Sequence, residues 1–162
     1  MNFRKIVIGC CALLAVQGAI AQTKPDDRIK VRQAAFTVIA ANIGKIKTNL
    51  DGEYNKDDVL KSIAVIQSLA HTNVASWFPA GTDKGIGIRE TQVRTELFDP
   101  ANAKKIDEAS RNFDEQANQF AIVAELGAKN AVQAQFGKLR ATCQGCHDNF
   151  RVDSTTAAAP AK

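Results

Sequence analysis

Apolar residues recur at steps of three and four along most of this chain, and no stretch alternates in the strict two-residue rhythm of a half-buried strand. Ile29, Phe36, Ile43 and Leu50 fall seven apart, with Ile39 and Ile46 between them, which predicts a first helix opening near Pro25 and stopping at Asp51-Gly52. Asp26 and Asp27 occupy its first turn, where negative charge suits the helix dipole. Asn55 reads as the N-cap of a second helix that buries Val59, Ile63, Ile66 and Ala70 and runs to about Ser76. A connector holding Trp77, Phe78, Pro79, Gly81, Gly85 and Gly87 follows. Asp99-Pro100 then places a cap and an N1 proline before a third helix, striped by Ile106, Phe113 and Phe120 and stopped by Gly127. A fourth helix spans about Asn130 to Phe150, with Val132, Phe136, Leu139, Cys143, Cys146 and Phe150 on one face. Four amphipathic helices in succession predict an all-α fold, an antiparallel four-helix bundle.

The two ends of the chain carry different signals. Arg4 and Lys5, the apolar run Ile6 to Val16 and the small-residue site Ala19-Ile20-Ala21 read as a secretory signal peptide over residues 1–21, cleaved before Gln22. That run is too short and wrongly flanked for a membrane anchor. Val7-Ile8-Gly9-Cys10 resembles a lipoprotein box, but only about four apolar residues precede Cys10, fewer than an export signal's apolar core uses. Export places the mature chain in the periplasm. About 140 mature residues make one domain, residues 22–153, while the Ala- and Thr-rich stretch 154–162 reads as a disordered tail.

Cleavage removes Cys10 and Cys11, so Cys143 and Cys146 are the cysteines of the mature chain, and no disulfide framework is left. It also removes Arg4 and Lys5, leaving 19 basic against 17 acidic residues, a formal +2. Such a balance, without a clustered basic face, gives no reason to invoke nucleic acid.

The chemistry is concentrated in Cys143-Gln144-Gly145-Cys146-His147. Cys-x-x-Cys-His is the attachment pattern of a c-type haem. On a helix, positions i and i+3 share a face with their Cβ atoms about 5–6 Å apart, so both thiols can add to the two vinyl groups of one porphyrin edge. His147 then supplies an iron ligand. A thioredoxin-like redox pair would follow a strand in a βαβ unit, and a structural zinc site would need four ligands; neither context is present. The predicted cofactor is one haem c, with iron, per chain.

The second axial ligand decides what that haem can do. Methionine is the usual one in electron-carrying c-type haems, yet Met1 is the single methionine and leaves with the leader. His71, in Ala70-His71-Thr72, reads either as a helix-end residue favoured by the dipole or as the second ligand, and lysine is a further option. The expected state is five-coordinate.

With these residues in place, the chain resembles cytochrome c′, the class II c-type cytochromes. The haem motif lies near the C-terminus of the fourth helix, and Arg32-Gln33-Ala34-Ala35-Phe36 is similar to the family's first-helix pattern, over a likeness running from about Lys24 to Arg151. The resemblance implies that Phe36, where the family often has leucine or methionine, covers the distal haem face. It implies Gln33 at the haem edge, and Arg151 beside the proximal histidine, although a charge there would also suit the helix end. Arg32 falls on the buried seam, where a charge is costly unless paired; a haem propionate is the partner both this position and the resemblance suggest, the alternative being a stem that snorkels to water. Phe36 is equally at home as plain core packing, and Trp77-Phe78 as a lid on the bundle.

An open iron under an apolar roof would bind small neutral gases, nitric oxide first and carbon monoxide second. The resemblance adds a buffering role against nitrosative stress and a homodimer, often formed through the first two helices. An electron-transfer cytochrome, with or without His71 as ligand and with an unidentified redox partner, is the competing reading. No distal acid or histidine is evident for peroxide chemistry, so an enzyme is not expected.

Overall fold

In a computed structural model, residues 24–152 are described. Four helices fill most of that span: α1 Pro25–Asp51, α2 Lys56–Ala70, α3 Ala103–Leu126 and α4 Lys129–Phe150. The signal peptide expected at residues 1–21 and the tail expected at 154–162 lie outside the described residues. No described helix is long and apolar enough to cross a membrane.

Local chemistry accounts for most boundaries. The Asn55 side chain accepts a hydrogen bond from the Asp58 backbone N–H at 3.2 Å, starting α2. Asp99 accepts from the Ala101 N–H at 2.8 Å, and Pro100 opens a 3-10 turn that feeds α3 at Ala103. Gly127 ends α3 in the left-handed region at φ 78°, its N–H reaching the Ala124 carbonyl. One boundary departs from expectation: α2 stops at Ala70 instead of near Ser76. Asn73 takes a left-handed conformation at φ 58°, which a continuing helix cannot contain, and Val74–Trp77 forms a separate 3-10 turn.

Links of four and two residues make α1–α2 and α3–α4 antiparallel hairpins, and a 32-residue connector returns the chain from α2 to α3. The seams meet in one core. Ile39, Ile46, Val59, Ile63, Ile66, Phe120, Val132 and Leu139 are all buried in it. Each such side chain contributes about 1.5–3 kcal/mol through its removal from water. Packing is uneven around the ring: α1 lies on α2, α2 on α3 and α3 on α4, while α1 and α4 are not packed closely on each other. The two helices that carry the predicted site thus have few close approaches, and Phe36 of α1 and Cys143 of α4 both sit at the edge of the shared core, half-buried.

The connector is bound to both of these helices. At one end, Arg94 N–H donates to Phe150 O at 2.9 Å and Val152 N–H to Gln92 O at 2.8 Å, a short antiparallel pairing that fastens the end of α4. It also lies along α1, where Ile86 N–H meets Asp26 Oδ1 at 3.1 Å.

Candidate functional site

Cys143 and Cys146 are free thiols one helical turn apart on α4, both half-buried. Cys143 lies against the core, its Sγ 3.8 Å from the Leu139 carbonyl oxygen. Burial raises both thiol pKa values, and for Cys146 the neighbouring Cys143 adds to the rise. Both therefore favour the neutral, reduced thiol at pH 7. His147 follows directly, its surface open to solvent. Partial desolvation lowers its pKa, the Arg151 cation lowers it further, and Asp148 opposes them. The outcome is a neutral imidazole with a lone pair available to a metal.

Arg151 is close enough to His147 to act on it electrostatically. Its guanidinium is held by the connector, Nε and Nη2 donating to Gln92 Oε1 at 3.2 and 2.8 Å. The terminal turn of α4 is thereby fixed from outside.

Arg32 does not snorkel. Its residue is only 3 % exposed, and the guanidinium turns inward to the connector. Nη1 donates to Thr82 Oγ1 at 2.9 Å and to the Trp77 carbonyl at 3.4 Å; Nη2 donates to the Thr82 carbonyl and to Thr91 Oγ1, each at 3.0 Å. The cation also lies 4.6 Å from the centre of the Phe78 ring. All these partners are neutral. Burial lowers the pKa of the guanidinium, and among the described residues no carboxylate offsets that. A buried cation without a counter-charge is costly, so an anionic group brought to this end of the bundle would be stabilised by it.

Gln33 is likewise engaged with the connector: its amide oxygen accepts from Ile88 and Arg89 N–H at 2.7 and 3.1 Å, and its nitrogen donates to Arg89 O at 2.9 Å. Phe36 faces an aromatic wall. Trp77 meets it edge-on at 5.2 Å and Phe78 lies 6.1 Å away, tilted by 45°. His71 caps α2, and its Nδ1 lies 2.6 Å from Asp114 Oδ1 on α3.

Thr82, Thr91 and Gln92 were not legible as site residues in the sequence. Their one local signal is that Thr82 and Thr91 bracket the glycine-rich stretch; their partners lie 50 to 59 residues away.

The donor set fits a c-type haem: two thiols on one helix face, a neutral imidazole beside them, an apolar wall at Phe36 and a buried cation with no anion against it among the described residues. No group of three or more His, Cys, Asp or Glu among the described residues is placed to hold a bare metal ion. Residues 27–151 match the family model described as cytochrome C′.

This chain belongs to the cytochrome c′ family. It is 42% identical to the cytochrome c′ of Rhodocyclus tenuis over 129 residues, covering 79% of this chain and 96% of that one. The crystal structure of cytochrome c′ from Thermochromatium tepidum superposes with a TM-score of 0.76 at 36% identity, over 82% of this chain and all of that one. A variant of the Alcaligenes xylosoxidans cytochrome c prime in complex with nitric oxide has the same fold, with a TM-score of 0.70 at 24% identity, over 81% of this chain and 98% of that one. The all-α bundle and the haem c cofactor expected from the sequence both hold for the family. As a cytochrome c′ the chain is a haem protein of ligand-binding or electron-transfer type.

Proposed function

We propose that this cytochrome c′ is a periplasmic five-coordinate haem protein that binds nitric oxide, and secondarily carbon monoxide, at a distal site lined by Phe36, and that it buffers nitrosative stress. Cys143 and Cys146 would hold the haem through thioethers and His147 would be its axial ligand. When bound, the haem supplies an iron with one coordination position free for a small neutral gas. The observation that carries the reading is the aromatic packing at Phe36. The wall formed with Trp77 and Phe78 offers no hydrogen-bond donor from its rings' faces toward a ligand, so dioxygen gains little there, whereas nitric oxide needs less polar help. His71 supports the same reading, because its contact with Asp114 ties it to α3. Arg32 supplies the positive potential that favours a propionate nearby, and Arg151 favours the neutral, ligating form of His147. A homodimer through the first two helices is supported by Val31 and Val38, seven residues apart on α1 and 67% and 44% exposed, with Val65 of α2 also exposed.

Absorption spectra of the ferric and ferrous holoprotein, before and after nitric oxide and carbon monoxide, test this. A high-spin ferrous spectrum that shifts with either gas is the expected result. A low-spin spectrum with split visible bands, unmoved by both gases, would replace gas binding with electron transfer.

A further inference from the structure

Phe36 is in contact with a wall that is itself held in place. Its ring packs on Trp77 and Phe78, and both of those are fixed from behind. The Arg32 guanidinium stacks on Phe78 while donating to the Trp77 carbonyl, so one cation touches both members of the wall. Arg32 is in turn held by Thr82, which is 1 % exposed and whose hydroxyl accepts from Nη1 at 2.9 Å and donates to the Pro79 carbonyl at 2.8 Å. Thr91 Oγ1 completes the hold on Nη2. Trp77 is pinned at its far end as well, Nε1 donating to Thr72 Oγ1 at 3.0 Å. Because cores and packed loops shift between discrete arrangements and do not deform smoothly, displacing Phe36 toward this wall requires the connector to yield.

We infer that Arg32, with Thr82 and Thr91, is a positioning clamp that sets how readily Phe36 moves aside, and hence how fast a gas enters. The inference rests on the reading of Phe36 as the residue lining the distal site. It makes the connector between α2 and α3, and not the Phe36 rotamer alone, the gate. The clamp acts through the wall, so it should change ligand entry while leaving the haem spectrum as it is.

The test is carbon monoxide recombination with the ferrous holoprotein after flash photolysis. Thr82→Val has the same shape without the hydroxyl, and Thr82→Ser keeps it. Thr82→Val should raise the association rate about tenfold, the factor corresponding to one hydrogen bond to a charged group, and Thr82→Ser should stay near the native rate. Hydrogen exchange of the holoprotein supplies a second readout: amides between residues 77 and 91 should lose protection in Thr82→Val and keep it in Thr82→Ser. Phe36→Val should also bind faster, and adding Thr82→Val to it should bring little more. A native association rate in Thr82→Val beside a fast Phe36→Val overturns the clamp and leaves the reading of Phe36 standing. A native rate in Phe36→Val overturns both. Should Thr82→Val not accumulate, Thr91→Val removes another hydroxyl of the clamp and is scored in the same way.

Discussion

Gly87 lies directly on the backbone of Lys30: a Cβ at residue 87 would come 2.6 Å from the Lys30 nitrogen and 2.7 Å from its Cα. The connector can approach α1 this closely only where a side chain is missing, and the approach puts Ile88 and Arg89 N–H within reach of Gln33. Neither side can give way cheaply, since both are backbone.

Gly87→Ala should therefore destabilise the protein by about 1–3 kcal/mol, the range for overpacking a filled site. Gly44 is the contrasting case. It lies inside α1 with nothing within 4 Å of an added Cβ, so Gly44→Ala should stabilise by roughly 0.5–1 kcal/mol through helix propensity alone. Urea unfolding of the two variants should give shifts of opposite sign. Equal signs would show that the close approach at Lys30 does not bear on stability.

His71→Ala should leave the ferric and ferrous absorption spectra unchanged. The imidazole Nδ1 lies 2.6 Å from Asp114 Oδ1 on α3. If His71 were instead an iron ligand, its removal would convert a low-spin spectrum to a high-spin one, and that conversion would defeat the five-coordinate reading.

The helices were legible because their signals are local. Pro25, Asn55, Pro100 and Gly127 mark starts and stops within a turn of their own positions, and the structure uses them there. The haem motif was legible for the same reason: Cys143, Cys146 and His147 are neighbours in sequence. The apolar spacing that predicts α2 to about Ser76 continues past Ala70 and conceals the left-handed turn at Asn73, where the helix has already ended. Arg32 shows the deeper limit. Its seam position announced burial, but its acceptors are Thr82, Thr91 and a Trp77 carbonyl, brought to it by a connector whose path no periodicity encodes. The sparse packing of α1 on α4 is equally non-local, since each helix alone shows an ordinary apolar stripe.

Phe120→Ala should cost about 3–5 kcal/mol. The ring is fully buried between the helices and meets Phe136 edge-on at 6.1 Å. Phe120 is not one of the residues that would hold the haem, so the loss should appear in thermal or denaturant unfolding while the spectrum of folded holoprotein stays native. A changed spectrum at temperatures well below unfolding would mean that the core and the site are mechanically coupled.

The two cysteines should contribute separately to haem attachment. Cys143 is backed by the core, and Cys146 is half-buried one turn further toward the end of α4. Each faces the same side of the helix, so each thiol can form its own thioether without the other. Cys143→Ala and Cys146→Ala should each lower the fraction of chains carrying covalent haem, and the double variant should carry none. Mass spectrometry of the denatured chains measures this directly, since a haem held by His147 alone is lost on unfolding and a thioether is not. Covalent haem surviving in the double variant would place the attachment elsewhere. The chain has no other cysteine beyond Cys10 and Cys11, so that outcome would point to one of those two as the thioether donor.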